Sequence, residues 1–256
     1  MSANGISVGT GISVGTGIGI GVGAAMSTSG IFATGLQCQL EADIYTGTGP
    51  WLDQSGHGND ATIVPDYSGA PTYSVGPPAN FVFNYISDVY NASRMIVPNM
   101  LGSDMTVSAW INTTGTGVGT LHFTLMYIVS AEAGGGAPDW GFGVNDSGNI
   151  AFGTGYADTT ISGGPVNTGV WINVAATRVL STGLISLYIN GVLSNADYGE
   201  AETVLTANPD IWIGSGADTP AYSFGGSIGG VLLYNQVLTD TQVMQNFVAQ
   251  RSKYGV

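Results

Sequence analysis

The stretch LEADIYTGTGPWLDQSGHGNDAT, residues 40–62, is the part of the chain that decides the fold. It reads as a strand that ends near acidic residues, a short glycine-rich loop, a tryptophan and then the pattern Asp-x-Ser-Gly-x-Gly-Asn. Glycine adopts positive φ without strain, and Asp, Ser and Asn side chains bond to nearby backbone, so this pattern favours tight turns. The stretch therefore predicts two β-strands joined by a compact polar loop.

Alternation of apolar and polar residues recurs further along the chain. In residues 105–111 the side chains of Met, Val, Ala and Ile alternate with Thr, Ser and Trp, and residues 185–189 alternate in the same way. Such a period of two predicts strands with two different faces. Asn190-Gly191 supplies the positive-φ pair of a tight hairpin, and a second hairpin is expected at residues 145–149.

Only the C-terminus has the pattern of a helix. Thr239 stands at the cap position and Gln242 at the matching position of a capping box, and Val243, Met244 and Phe247 form an apolar stripe. Many short strands followed by one helix predict an all-β fold, an antiparallel two-sheet sandwich with a short C-terminal helix.

The composition excludes several classes of partner. Glycine accounts for 41 of 256 residues, and 17 acidic against 4 basic residues give a formal charge of −13. This charge repels nucleic-acid phosphates and anionic lipid, so neither nucleic acid nor a membrane is expected as a partner. Cys38 is the single cysteine, so no intrachain disulfide forms.

Residues 1–35 form a segment of their own, without any Asp, Glu, Lys or Arg. The unit Gly-Ile-Ser-Val-Gly-Thr occurs at residues 5–10 and 11–16, and a degenerate copy follows at 17–23. The segment is too interrupted by small residues for a membrane span, and it is either a flexible tail or an extended strand that pairs with another chain. We favour pairing, in a homo-oligomer or with another protein, through the alternating apolar residues Ile6, Val8, Ile12, Val14, Ile18, Ile20 and Val22.

Four further motifs continue the pattern that starts at residues 40–62: TVSAWI (106–111), WINVA (171–175), LYING (187–191) and FGGSIGGVLLYNQVLT (224–239). Taken in order, this set resembles the laminin-G-like, concanavalin-A-like jelly-roll family, in the form found in phage virion surface proteins. The resemblance covers residues 36–256, which we therefore predict to be one jelly-roll domain carried on the glycine-rich segment 1–35.

The resemblance implies a binding role, because this family mostly binds glycans or proteins and often catalyses nothing. We expect a non-enzymatic virion surface protein, a capsid decoration or fibre component, with a capsid or fibre partner. The first alternative is a secreted, extracellular bacterial carbohydrate-binding protein. The second is a glycoside hydrolase of the same fold, since Glu41 and Asp43 match half of a Glu-x-Asp-x-x-Glu signature, although Thr46 stands at its third acidic position.

Two sets of candidate ligand residues follow. Near predicted loops, three aromatic residues are placed to stack on sugar rings, namely Trp140, Tyr156 and Tyr222. Hard cations prefer oxygen ligands from loops, and this family often binds calcium, so five residues are candidate calcium ligands: Asp53, Asn59, Asp60, Asp139 and Asp146. The alternative is that Asp53, Ser55 and Asn59 only shape their own loop through Asx and Ser turns. His57 is expected to be an exposed turn residue.

Overall fold

Two antiparallel sheets pack face to face in the computed structural model, which describes residues 30–65, 69–85, 92–216 and 223–256. Within these residues, one sheet contains eight strands: β1 (Leu36–Glu41), β3 (Thr72–Ser74), β4 (Asn80–Phe83), β6 (Met105–Asn112), β11 (Ile172–Arg178), β12 (Leu184–Ile189), β13 (Val192–Tyr198) and β15 (Gly226–Tyr234). The other contains seven: β2 (Thr62–Val64), β5 (Arg94–Pro98), β7 (Met126–Ser130), β8 (Trp140–Val144), β9 (Asn149–Thr154), β10 (Thr159–Pro165) and β14 (Asp210–Ile213). A single α-helix in the described chain, α1 (Asp240–Gln250), follows β15.

The strand order confirms the predicted sandwich. The eight-stranded sheet runs β13-β12-β11-β6-β15-β4-β3, and β1 extends it by pairing with the rest of β15. The seven-stranded sheet runs β10-β9-β8-β7-β14-β5-β2. Strands that follow one another in the chain pair as the hairpins β7-β8, β8-β9 and β9-β10. The loops of these hairpins therefore lie at the ends of adjacent strands.

The main core lies between the sheets and is built by the predicted alternation. In β6 the inward residues, from Met105 to Ile111 at every second position, are buried in this core, while Trp110 faces the other side. Trp51, the tryptophan of the opening motif, is also fully buried, and its backbone bridges to Ala61. Burial of each large apolar side chain stabilises the fold by about 1.5–3 kcal/mol.

Helix α1 covers the outer face of the eight-stranded sheet. Its predicted capping box is confirmed, because the Gln242 N–H donates to Thr239 Oγ1 and the Thr239 N–H donates to Gln242 Oε1. Trp110 stacks against Phe247 of the helix and Tyr254 after it, with ring centroids 5.8 and 4.1 Å away. These contacts bury the outward face of β6, so the helix completes a second, smaller core.

Both predicted hairpins are confirmed. Asn190 and Gly191 have φ angles of 50° and 76°, as a type I′ turn requires. At the β8-β9 turn, Asn145 Oδ1 accepts hydrogen bonds from the backbone of Ser147 and Asn149, each at 3.0 Å. The side chain of Asn145 therefore closes the turn that joins two strands of the seven-stranded sheet.

The described residues before β1 contact helix α1. The Gln245 side chain donates to the Gly30 carbonyl at 2.9 Å, and the Phe32 N–H donates to Asn246 Oδ1 at 2.8 Å. The predicted assembly residues between Ile6 and Val22 lie outside the described residues, and the division of the chain at residue 35 stays a prediction. Among the helices that the structure describes, none has the length and apolar character of a membrane span.

Candidate functional site

Glycines on the outer face of the seven-stranded sheet make room for a 3-10 turn, His122–Thr124. Strand β8 alternates large inward side chains with outward Gly141 and Gly143, and Gly153 of β9 pairs directly with Gly141. A Cβ on Gly153 would lie 2.6 Å from the Cβ of His122, and one on Gly141 would lie 3.0 Å from the His122 carbonyl oxygen. Larger residues would lift the turn off the sheet, so these glycines place His122 over β8 and β9.

Three buried side chains converge beside this turn. Nε2 of His122 lies 3.4 Å from Oε2 of Glu132 and 3.4 Å from Oδ1 of Asp139, and none of the three side chains is more than 3% exposed. One ligand atom from each residue lies within 4.8 Å of the other two. The β7-β8 hairpin brings the carboxylates together, because Glu132 follows β7 and Asp139 precedes β8.

Backbone amides of the β7-β8 loop hold both carboxylates. The N–H groups of Ala133 and Gly134 donate to Oδ2 of Asp139 at 2.8 and 3.0 Å, and the Gly134 N–H also lies 3.2 Å from Oε1 of Glu132. All three glycines of residues 134–136 have φ between 67° and 73°, where residues with a Cβ are strained. The glycine run therefore lets the loop fold back onto the two acids.

Each carboxylate thus uses one oxygen to bind its own loop and directs the other at His122. Within the described residues, Oδ1 of Asp139 is buried without a hydrogen-bond partner, and so is Nδ1 of His122. An unpaired buried polar atom costs about 1–3 kcal/mol, and folded proteins leave few of them. The cluster is therefore not satisfied by the described protein groups alone.

The two carboxyl groups differ in acidity. Burial and the negative charge of Asp139 raise the pKa of Glu132 to about 7. Burial also acts to raise the pKa of Asp139, but the neighbouring His122 side chain and the hydrogen bond from the Ala133 amide outweigh it and lower that pKa. Asp139 is therefore the member of the pair that holds its negative charge most strongly.

A pocket of about 320 Å³ opens over the cluster. Its lining combines the three clustered side chains with the glycine loop, Gly155 and Asp158. Tyr156 lies between the last two in the β9-β10 turn and is 73% exposed, with a φ of 78°. Tyr156 is thus an exposed aromatic residue that directly follows a residue of the pocket lining.

Known proteins share this architecture. The family model described as the Concanavalin A-like lectin/glucanases superfamily matches residues 89–244, more than half of the chain. The chain belongs to this superfamily. The matched range contains the β7-β8 hairpin and the whole His122 cluster. No curated protein matches the chain.

One solved structure matches most of this chain and is itself matched over nearly its whole length. Domain 4 of AbnA, a GH43 extracellular arabinanase from Geobacillus stearothermophilus, solved with arabinotriose, has a TM-score of 0.63 at 20% identity. The match covers 84% of this chain and 98% of that one. At this identity the likeness shows the fold alone.

Two toxin domains share the same fold. The binding domain of botulinum neurotoxin DC, solved with rat synaptotagmin II, has a TM-score of 0.63 at 16% identity and covers 87% of this chain. The binding domain of Paraclostridial Mosquitocidal Protein 1 has a TM-score of 0.59 at 16% identity and covers 83%. The chain spans about half of each of these two, 52% in both cases. At this identity these two likenesses also show the fold alone.

Within this jelly roll, the structure contradicts one predicted ligand aromatic. Trp140 is fully buried and stacks on Phe152 with ring centroids 5.8 Å apart, so the prediction that it binds ligand at the surface is wrong. The outward positions of β8 are glycines, and Trp140 occupies an inward one. Tyr156 is exposed beside the pocket and remains a candidate, whereas Tyr222 lies outside the described residues.

The opening loop uses its polar groups internally. Asp53 accepts hydrogen bonds from the backbone of Gln39, Ser55 and Asn59 and from the Ser55 hydroxyl, at 2.7–3.0 Å. Asp60 Oδ1 in turn accepts the Asp53 N–H at 2.8 Å. Burial acts to raise the pKa of Asp53, but these hydrogen bonds outweigh it and lower the pKa. The arrangement matches the alternative in which Asx and Ser turns shape the loop.

The five predicted calcium ligands lie in three loops, and calcium binding stays a prediction. Asp53, Asn59 and Asp60 share the opening loop, whereas Asp139 lies in the His122 cluster of the β7-β8 loop. Asp146 is exposed in the β8-β9 turn, where the Ser147 hydroxyl donates to it at 3.1 Å. His57 is exposed in its turn, as predicted.

The two acids of the hydrolase alternative are engaged by the C-terminus. The Gln250 side chain donates to Glu41 Oε1 at 2.6 Å, and Lys253 Nζ lies 3.1 Å from both Glu41 Oε2 and Asp43 Oδ2. Glu41 is only 4% exposed. These carboxylates therefore tie β1 to the segment after α1.

Sequence reasoning missed His122 and Glu132. A signal for Glu132 was present, because the run Glu-Ala-Gly-Gly-Gly-Ala-Pro-Asp places an acid on each side of a glycine loop at residues 132–139. No comparable signal marked His122, whose contact with the acids depends on the space above the glycines of β8 and β9.

Proposed function

We propose that this chain is a non-enzymatic recognition protein of a virion surface, acting as a capsid decoration or fibre component. Its jelly roll binds a glycan, and residues 1–35 attach it to a capsid or fibre protein or to further copies of itself. The observation that carries the recognition part is the pocket over His122, Glu132 and Asp139, with the exposed Tyr156 next to its lining residue Gly155 in the chain.

The pocket has the chemical features of a sugar site. Tyr156 offers a flat apolar surface to the ring of a sugar, and the carboxylates of Glu132 and Asp139 accept hydrogen bonds from hydroxyl groups. Gly135 and Gly136 are exposed and carry no side chain, so a ligand approaches the backbone closely. A concave site in which a small number of polar groups converge is typical of small-ligand recognition.

The position of His122 supports binding over hydrolysis. Glycoside hydrolases use two carboxyl groups that flank the scissile bond, one of them with a raised pKa, and Glu132 with Asp139 meets that electrostatic description. However, His122 lies 3.4 Å from both carboxylates and so fills the space between them that a glycosidic bond would need. The other candidate acids, Glu41 and Asp43, are engaged by Lys253.

The virion part of the proposal rests on the N-terminal segment and on the position of Gly30, the first described residue. Residues 1–35 carry an uncharged repeat of alternating Ile, Val and Gly, as expected of a strand that pairs with another chain. Gly30 contacts α1, which covers the outer face of the eight-stranded sheet. The pocket lies on the outer face of the seven-stranded sheet, so attachment and recognition use opposite faces.

Glycan binding is tested with the full chain on a printed array of arabinan, sialylated glycans and bacterial surface polysaccharides, followed by titration calorimetry of the strongest glycan. We expect Tyr156→Ala to weaken binding about 30-fold, the equivalent of about 2 kcal/mol for an aromatic anchor. Tyr85→Ala is the control, because Tyr85 is also an exposed tyrosine and, unlike Tyr156, has no direct chain neighbour in the pocket lining. An array without any bound glycan, or equal losses in both variants, would contradict the proposal.

The attachment role is tested by light scattering of the full chain beside a variant with Ile6→Ser, Ile12→Ser and Ile18→Ser. We expect a defined oligomer for the natural chain and a monomer for the variant, with Thr10→Ser and Thr16→Ser as a matched control that keeps the oligomer. Equal masses for all proteins, together with unchanged glycan binding, would favour the secreted carbohydrate-binding alternative.

A further inference from the structure

We propose that His122, Glu132 and Asp139 bind a divalent transition-metal ion, with Zn²⁺ as the reference ion. This site goes beyond the proposed recognition function, because metal binding is measurable without any glycan. The three ligand atoms are Nε2 of His122, Oε2 of Glu132 and Oδ1 of Asp139.

The spacing of these atoms matches a zinc coordination shell. Zinc binds His nitrogen and carboxylate oxygen at about 2.0–2.2 Å in a tetrahedron, so two ligand atoms of one shell lie about 3.3–3.5 Å apart. Nε2 of His122 lies 3.4 Å from each of the two carboxylate oxygens. All three ligand atoms lie within 4.8 Å of one another, so at most one edge of the shell has to contract.

The same distances argue against a cluster made only of ion pairs. A charge-assisted hydrogen bond between a protonated His and a carboxylate is about 2.7–2.9 Å long. Both contacts of His122 Nε2 are 3.4 Å, which is too long for such a bond but suits two ligands of one ion. Oδ1 of Asp139 also remains buried without a hydrogen-bond partner among the described residues, as expected of an atom reserved for a metal.

The outer contacts orient the carboxylates for metal binding. Asp139 uses Oδ2 to accept two loop amides, which leaves Oδ1 for the ion. Glu132 uses Oε1 for the Gly134 amide, and its Oε2 has, besides His122, only a long contact of 3.5 Å with the Tyr127 hydroxyl among the described residues. The His122 backbone is fixed as well, because its N–H donates to Thr160 Oγ1 at 2.7 Å. Such supporting bonds are typical of metal sites, where they set the direction of each ligand.

The donor set selects the class of ion. Calcium and magnesium take oxygen ligands, and calcium needs six to eight of them, whereas one imidazole and two carboxylates suit zinc and its neighbours. The three protein ligands leave a fourth position, which faces the pocket of about 320 Å³. A water molecule fits there, and so does a hydroxyl group of a bound ligand.

The experiment uses the full chain, stripped of metal with a chelator and then dialysed, in titration calorimetry with ZnCl₂ and separately with CaCl₂. We expect one Zn²⁺ per chain at this site and no comparable Ca²⁺ binding. Glu132→Gln and Asp139→Asn are expected to weaken Zn²⁺ binding at least about 100-fold, because loss of an outer contact alone costs about 10- to 100-fold. The matched control Asp158→Asn removes an acid from the lining of the same pocket and keeps full affinity.

Two checks keep the result decisive. Circular dichroism spectra of the metal-free variants establish that each is folded, and Co²⁺ binding to the natural chain needs no variant at all. We expect visible absorption bands of four-coordinate Co²⁺ that disappear when Zn²⁺ is added. No Zn²⁺ binding, equal affinity in the Glu132→Gln and control proteins, or a Co²⁺ spectrum of the hydrated ion would each overturn the proposal. None of these outcomes depends on whether a glycan binds.

Discussion

The loop that carries Asp53 and the loop that carries Asp139 both join two strands, and in both the backbone wraps amides around an aspartate. In the first loop both oxygens of Asp53 accept hydrogen bonds, and Asp60 supports the same turn. In the second loop one oxygen of Asp139 is bonded and the other faces His122 without a hydrogen-bond partner among the described residues. The same kind of loop therefore uses the whole Asp53 carboxylate to hold its own backbone, but leaves one oxygen of Asp139 for an atom from outside the loop.

Spare ligand atoms therefore distinguish a candidate site from a structural turn better than acidic composition does. The carboxylate of Asp53 is satisfied within its own loop, so a cation would have to compete with several amides. The Asp139 carboxylate is held by two amides and still presents a free oxygen to His122 and the pocket. The following predictions test this contrast.

The largest effect is expected from Gly155→Ala. A Cβ at this position would overlap Oδ1 of Asp139 and the carbonyl oxygen of Ala137. We expect at least about a 100-fold loss of Zn²⁺ affinity and a loss of about 1–3 kcal/mol in the free energy of unfolding, as for other overpacked sites. Calorimetry and urea unfolding measure the two effects. Gly102→Ala, whose Cβ would meet no atom within 4 Å, is the control and should change neither.

Asp53→Asn should reduce the free energy of unfolding by about 1–3 kcal/mol without changing Zn²⁺ affinity, because buried donors of the loop lose an ionised acceptor. The folded pKa of Asp53 is lowered, so its stabilisation is present above the ordinary pKa of 3.8 and is lost as the pH falls below that value. Urea unfolding of both proteins from pH 7 down to pH 3 measures this. A stability difference that grows toward low pH would contradict the role assigned to Asp53.

Glu132→Gln should reduce the free energy of unfolding of the metal-free chain less than Asp53→Asn does. We expect the variant to stay within about 1 kcal/mol of the natural protein at pH 8. Burial and the charge of Asp139 raise the pKa of Glu132 to about 7, so the ionised carboxylate opposes folding there, and its removal offsets the lost contacts. Thermal unfolding in the presence of a chelator measures the effect. A loss as large as that of Asp53→Asn would show that the His122 cluster is built for stability.

The smallest effect is expected from Asp146→Asn. Asp146 is exposed, and among the described residues the only hydrogen-bond donor to its side chain is the neighbouring Ser147 hydroxyl. Surface substitutions of this kind change stability by no more than about 0.5 kcal/mol. Unfolding and calorimetry with Zn²⁺ and Ca²⁺ should match the natural chain, and a clear loss of Ca²⁺ binding would support the calcium prediction for this turn.

Local features were predictable where the physical cause is also local. Asn190 and Gly191 adopt the positive φ angles that their turn requires, and Thr239 with Gln242 forms the expected capping box. Which face of the sheet Trp140 lies on was not predictable in the same way. Its strand contains one tryptophan and two glycines, and only the pairing of β8 with its neighbours decides which face is buried.

The sequence by itself determined the strand pattern, the hairpins, the C-terminal helix and the antiparallel sandwich, because alternation, turn residues and caps act between residues close together in the chain. Only the tertiary structure decided that His122 meets Glu132 and Asp139, and that Lys253 meets Glu41 and Asp43. Those contacts arise from sheet pairing and from the empty space above glycines. Neither property is carried by any single stretch of the chain, so the candidate site became visible only in the folded protein.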